Sequence, residues 1–131
     1  MTRRAYFDSS ALVKLVVRED ESAALRAFIR RRKGSSSCAL ARVEVVRAVR
    51  HHGPAATGRA RQLVERFDLL RIDDPLLDAA AVLPVESLRS LDAIHLAAAQ
   101  RLGRDLSVLV SYDERMLAAA REMGIRVTSP R

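Results

Sequence analysis

Five short runs of β-branched or apolar residues, at 5–7, 37–39, 69–72, 107–110 and 125–128, alternate with stretches that carry the period of a helix. Nothing else in the chain narrows the fold so far. Strands separated by helices pair in parallel, because each connection must cross back over the sheet, and the crossover is right-handed. The chain is therefore read as α/β. Helical patterns are predicted at 10–17, 22–32, 40–52, 55–66, 75–83, 90–102 and 113–123. Gly53-Pro54, Gly103 and Gly124 stand where three of these should stop. With 131 residues, 49% of them apolar, and no repeat, low-complexity stretch or dividing linker, residues 1–131 are expected to form a single domain.

Charge is distributed unevenly. The formal net charge is +7, yet residues 1–66 carry 15 Lys and Arg against 6 acids, while residues 67–131 carry 8 against 10. Almost all of the positive charge is Arg, whose planar fork suits phosphate. Arg26, Arg30, Arg31, Arg32 and Lys33 form the clearest cluster, to be weighed between nucleic-acid contacts and a solvated helix end. Aromatic residues make up 4% with no Trp, too few for the base-stacking platforms of common RNA-binding domains. Cys38 is the only cysteine, so an internal disulfide and a cysteine-rich zinc site are both excluded, and a buried apolar role is expected. Asp8 and Lys14 interrupt the apolar start, and no run reaches the length of a membrane span, so no membrane association and a cytoplasmic location are expected.

Four acids stand apart from the rest. Asp8, Glu44, Asp92 and Asp113 each fall where a strand ends or a helix begins. In open α/β sheets ligands bind beyond the carboxyl ends of the strands, where strand order reverses, so these positions can share one edge. Taken singly, Asp8 and Asp113 read as helix N-caps and Asp92 as a first-turn acid offsetting the dipole. Glu44 fits that account less well, since its helical neighbours Leu40, Ala41 and Ala48 are apolar and only Arg47 is polar. Two carboxylates about 4 Å apart repel by roughly 4 kcal/mol even at an effective dielectric of about 20. A cluster of four therefore calls for a cation or a shared proton, and oxygen-only ligands favour Mg²⁺ or Mn²⁺ over Zn²⁺.

The runs YFDSSALVKL from Tyr6, ALARVEVVRAV from Ala39, LRSLDAIHLAAA from Leu88 and VLVSYDERML from Val108 resemble a PIN-domain ribonuclease of the VapC type, the toxin of a type II toxin-antitoxin pair. The resemblance covers essentially the whole chain. It implies a PIN-like three-layer sandwich with a central, mainly parallel five-stranded sheet flanked by helices. It also implies that Asp8, Glu44, Asp92 and Asp113 form an acidic quartet, with Ser9 and Ser111 in supporting positions. The fourth acid of that quartet is the most variable in the family, and here it is present.

These expectations amount to a metal-dependent endoribonuclease. Asp8 and Asp92 are expected to hold Mg²⁺ or Mn²⁺ directly, Asp113 directly or through water, and Glu44 to orient or deprotonate the attacking water. The resemblance implies products with a 5′-phosphate and a 3′-hydroxyl, a homodimer, and a cognate VapB-like antitoxin laid across a groove of the early helices. Leu12, Val16, Leu25, Phe28 and Ile29 are candidates for that groove, with plain core as the competing role. His95, one turn after Asp92, is read as satisfying a local hydrogen bond ahead of any catalytic part. His51 and His52 are read as helix-end residues without a metal role. The rival to the enzyme is a non-catalytic basic α/β module that binds RNA or a protein partner, its acids serving as caps.

Overall fold

Strands β1 (Arg4–Phe7), β2 (Ser35–Cys38), β3 (Asp68–Leu70), β4 (Leu106–Val110) and β5 (Val127–Thr128) form one sheet in a computed structural model that describes residues 3–131. Every neighbouring pair is parallel and the order is β3-β2-β1-β4-β5, so the expected mainly parallel sheet is parallel throughout. The helices are α1 (Ser9–Val16), α2 (Ser22–Arg30), α3 (Ala41–Val49), α4 (Pro54–Glu65), α5 (Asp74–Ala81), α6 (Ser90–Arg101) and α7 (Glu114–Glu122). Single 3-10 turns occupy Arg50–His52 and Gly103–Asp105. Among the described residues no helix is long and apolar enough to cross a membrane.

The period-two alternation of the strands builds three layers. Ala5, Phe7, Val108 and Val110 pack with Leu12, Leu25, Val45, Val49 and Ala60 from α1 to α4. Tyr6, Cys38 and Leu109 point the other way and pack with Leu76, Leu96, Met116 and Ala120 from α5, α6 and α7. Phe7 anchors the first face, edge-on to Phe28 and Phe67 at 6.2 and 5.4 Å between ring centres. Such pairs add about 0.5–1.5 kcal/mol each beyond the area they bury. Leu12, Val16 and Leu25 are core, whereas Phe28 and Ile29 are only partly buried, so the five groove candidates divide.

Several boundaries differ from the expected ones for identifiable reasons. Strand β2 starts at Ser35 rather than at 37, because its serines are held by ladders on both sides, Ala5 opposite Ser35 and Ser36 opposite Asp68. Neighbours, not β propensity, make it a strand. The helix expected over 40–52 ends at Val49 and tightens into the 3-10 turn before Gly53. Gly53, Gly103 and Gly124 all have positive φ, 98°, 55° and 75°, which supports the predicted stops. Helix α2 ends at Arg30, with Arg31 as its C-cap, and Asp113 lies outside α7 as its N-cap.

The strand order fixes where a site can form. From β1 the chain steps outward through β2 to β3, then returns to the other side of β1 to lay down β4 and β5. The switch point lies between β1 and β4, and the residues just beyond their carboxyl ends include Asp8 and Asp113.

Candidate active site

Asp8 is held by the turn it starts. Its extended backbone makes it the N-cap of α1, and Oδ1 accepts from the Ala11 amide at 3.1 Å and from Ser10 Oγ at 2.6 Å. Oδ2 accepts from Ser111 Oγ at 2.5 Å. The residue is only 4% exposed. Burial raises its pKa, and the hydroxyls of Ser10 and Ser111, with the charge of His95, oppose that rise. Ser10 Oγ also accepts the Tyr112 amide at 3.0 Å and Ser111 Oγ accepts the Asp113 amide at 3.0 Å. The two serines thus tie the carboxyl ends of β1 and β4 together across the switch point.

Asp113 and Asp92 face each other electrostatically. Asp113 caps α7 through Oδ1, which accepts from the amides of Arg115 and Met116 at 2.9 and 3.4 Å. Asp92 sits in the first turn of α6, partly buried. Burial, then the charges of Asp113 and Glu44, push its pKa up, while Arg89 and His95 pull it down. Asp8 and Asp113 are N-caps and Asp92 is a first-turn acid, as read singly, and the Asp92 carboxylate accepts no hydrogen bond from the described residues.

Glu44 projects from α3 and is engaged through one oxygen. Oε1 accepts from Ser9 Oγ at 2.7 Å and lies 2.6 Å from His95 Nε2. Burial would raise its pKa, but the His95 bond and charge, with Ser9, bring it below the ordinary value. His95 is 2% exposed, and its other nitrogen, Nδ1, meets Tyr6 Oη at 2.8 Å. Burial disfavours its charge, yet hydrogen bonds to Cys38 and Glu44 lift its pKa to about 10. The local hydrogen bond expected of His95 is therefore present, and its partner is one of the four acids.

Ser9 and Ser111, both expected to support the acids, do so, at Glu44 and Asp8 respectively. Sequence reasoning missed Ser10, Tyr6 and Arg89. Ser10 was passed over because Asp8, Ser9 and Ser10 compete for one capping role, and a lone strand tyrosine gives no local sign of its partner. Arg89 could have been found from its position three residues before Asp92.

The basic cluster lies elsewhere. Arg30, Arg31, Arg32 and Lys33 lead into the amino end of β2, at the sheet edge opposite the acids. Arg32 stacks on the Phe28 ring at 4.5 Å. Arg26 and Arg30 border a groove with Leu15, Ile29, Leu63, Arg66 and Phe67. A helix that ends before a strand delivers its last residues to that strand's amino end, so these candidate RNA contacts do not border the acids. His51 and His52 are exposed and stacked on each other, 4.1 Å between ring centres.

Among the described residues no three His, Cys, Asp or Glu side chains converge closely enough to enclose a metal ion on their own. The donor chemistry nevertheless suits a hard cation. The four acids offer carboxylate oxygens alone, and burial, with the charges of Asp113 and Glu44 adding to it, raises the pKa of Asp92. Mg²⁺ ordinarily keeps several waters and takes only one or two carboxylates, so an open arrangement of this kind fits it better than a closed cage.

Comparison with known proteins agrees with this geometry. The PIN domain family matches residues 5–122. Ribonuclease VapC46 of Mycobacterium tuberculosis is 53% identical over 126 residues, covering 95% of this chain and 96% of the relative. Ribonuclease VapC47 of the same species is 41% identical over 130 residues, with the same coverage of each chain. Among solved structures, VapC20 of Mycobacterium tuberculosis, a sarcin-ricin loop cleaving toxin, superposes with a TM-score of 0.77 at 14% identity, over 96% of this chain and 99% of that one. A toxin-antitoxin complex from Klebsiella pneumoniae gives 0.71 at 21% identity, over 97% and 98%. These two establish the fold. The family match and the high-coverage relatives place the chain in the PIN-domain family, among its VapC-type ribonucleases.

Proposed function

We propose that this chain is a Mg²⁺- or Mn²⁺-dependent endoribonuclease that acts as the toxin of a toxin-antitoxin pair, with Asp8, Glu44, Asp92 and Asp113 as its working acids. The observation that supports the reading is the position of Asp8 and Asp113 just beyond the carboxyl ends of β1 and β4, on either side of the switch point, where Ser10 and Ser111 join the two strand ends. Asp92 and Asp8 would hold the ion, with Asp113 directly or through water. When bound, such an ion offsets charge on the phosphoryl oxygens and lowers the pKa of a water molecule.

The chain's own residues supply the rest. Glu44 keeps Oε1 committed to Ser9 and His95, which leaves Oε2 to accept a proton of the attacking water and orient it in line with phosphorus. A carboxylate held below its usual pKa is a weak base, so orientation is its larger contribution. Asp8 is fixed by Ser10, Ser111 and Ala11, so its position does not depend on substrate. Arg89, the N-cap of α6 three residues before Asp92, offers a positive counterpart for an RNA phosphate. Cleavage on this reading leaves a 5′-phosphate and a 3′-hydroxyl.

Two partners follow from the same reading. An antitoxin of VapB type would occupy the groove between α1, α2 and α4, where Arg26, Arg30 and Arg66 border an apolar floor and favour an acidic, apolar peptide. The Klebsiella pneumoniae complex supports such a partner for this fold. A second copy of the chain would cover Val43 and Leu91, which are 57% and 49% exposed beside Glu44 and Asp92 in sequence.

The test incubates end-labelled structured RNA with purified protein in Mg²⁺, Mn²⁺ or EDTA, alongside Asp8→Asn and Asp92→Asn. Cleavage only with metal, and its loss in both variants, supports the proposal. Full activity in either variant, or in EDTA, overturns it.

A further inference from the structure

We infer that His95 is a positioning residue for Glu44, clamping Oε1 from beneath with Tyr6 behind it, so that Glu44 offers the site one oxygen in one orientation. The inference rests on the reading of Glu44 as the acceptor that orients water, and deepens it.

The geometry is a chain of contacts through three elements. Tyr6 on β1 meets His95 Nδ1 at 2.8 Å, with its ring edge-on to the imidazole at 74°. His95 on α6 meets Glu44 on α3 through Nε2 at 2.6 Å. Ser9, at the start of α1, adds the second bond to the same oxygen at 2.7 Å. A carboxylate oxygen has two lone-pair sites, so Ser9 and His95 together fill Oε1. Among the described residues nothing donates to Oε2.

Burial makes this arrangement stiff and sets the charge on His95. Tyr6 is 0% exposed and His95 2% exposed, and the helix around His95 is otherwise core, from Leu96 to Ala99. A polar ring at such a position costs folding free energy unless both its nitrogens are paired. The titratable groups that face it are Tyr6 and Asp8 from β1 and its end, Cys38 from β2 with Sγ at 3.7 Å, Glu44 from α3 and Asp92 on its own helix. None of these carries positive charge, three are carboxyl groups, and Glu44 lies at a charge-assisted distance. An imidazolium donating from both nitrogens satisfies this surrounding, whereas a neutral ring donates from only one.

Two kinds of measurement test the clamp. Long-range ¹H–¹⁵N correlation spectra of the wild-type protein at pH 7.5 should show both ring nitrogens of His95 protonated, and Glu44→Gln should leave one of them bare. In cleavage assays His95→Leu should lower kcat by about tenfold to a hundredfold, the range seen when the partner of a site ligand is lost, with KM little changed. His95→Gln, which keeps one neutral N–H near the place of Nε2, should recover part of that loss. On a Glu44→Gln background neither change should slow the reaction further, because the residue it positions is already gone. A neutral His95 in the wild type, or losses that add fully to Glu44→Gln, would overturn the inference. Should the Leu variant not fold, Tyr6→Phe, which removes only the support at Nδ1, replaces it and should give a smaller loss in kcat. If the wild type cleaves no RNA, the ribonuclease reading falls, and the protonation state of His95 still decides the clamp.

Discussion

Replacing Ser111 by Ala removes a single buried oxygen and leaves two polar groups without their partner. Ser111 is 0% exposed, and its Oγ donates to Asp8 Oδ2 at 2.5 Å while accepting the Asp113 amide at 3.0 Å. A lost hydrogen bond to a charged group costs about 1.5–3 kcal/mol and a buried unpaired amide about 1–3 kcal/mol. Ser10 Oγ, 3.3 Å from Ser111 Oγ and already bonded to Asp8, keeps part of the network in place, which sets the total near 3 kcal/mol. For a domain of this length that corresponds to a fall in Tm of roughly 10 °C. Thermal and urea unfolding in EDTA at pH 7.5 measures it. The sign can also be checked with pH. Ser111 favours the ionised form of Asp8, so its loss lets burial raise that pKa further, and the penalty should shrink as acid protonates the carboxyl. A loss below about 0.5 kcal/mol, or a penalty that grows on acidification, would refute the network described at Asp8.

The raised pKa of His95, about 10 against an ordinary 6.5, means that its contribution to stability is fully present below about pH 6.5 and is lost as pH rises through about 10. Urea unfolding of the wild type should therefore weaken more than that of His95→Gln between those two pH values; parallel curves would contradict it. Arg89→Ala should weaken RNA binding and reduce the slope of log affinity against log salt by about 0.7, while Arg31→Ala and Arg32→Ala, at the far sheet edge, should leave cleavage nearly unchanged. Equal effects of all three would contradict the special role given to Arg89.

The alternation of apolar runs with helical periods is enough to reach a parallel α/β sheet, and the glycine stops fall where helices end. What could not be read was set by neighbours. The serines of β2 become a strand only because β1 and β3 pair with them on both sides. Asp8 and Asp113 were legible as strand-end acids because β1 and β4 carry them to one edge, and each is a helix cap as well as a proposed site residue. The charge of the basic run after α2 was visible in the sequence while its edge of the sheet was not. His95 was read correctly as hydrogen-bonded, but that its partner is Glu44 depends on α3 and α6 meeting beyond the sheet edge, 51 residues apart in the chain.

The central claim is that acids scattered along the sequence share one cation at the switch point. A titration of Mn²⁺ followed by electron paramagnetic resonance, on the wild type and on Asp92→Asn, tests it most directly, because Asp92 is partly buried, raised by that burial and then by the charges of Asp113 and Glu44, and bonded to no protein donor among the described residues. The account predicts that the wild type takes up Mn²⁺ and that Asp92→Asn, still folded, loses most of that binding. Equal uptake by both proteins, or none by the wild type, would contradict it.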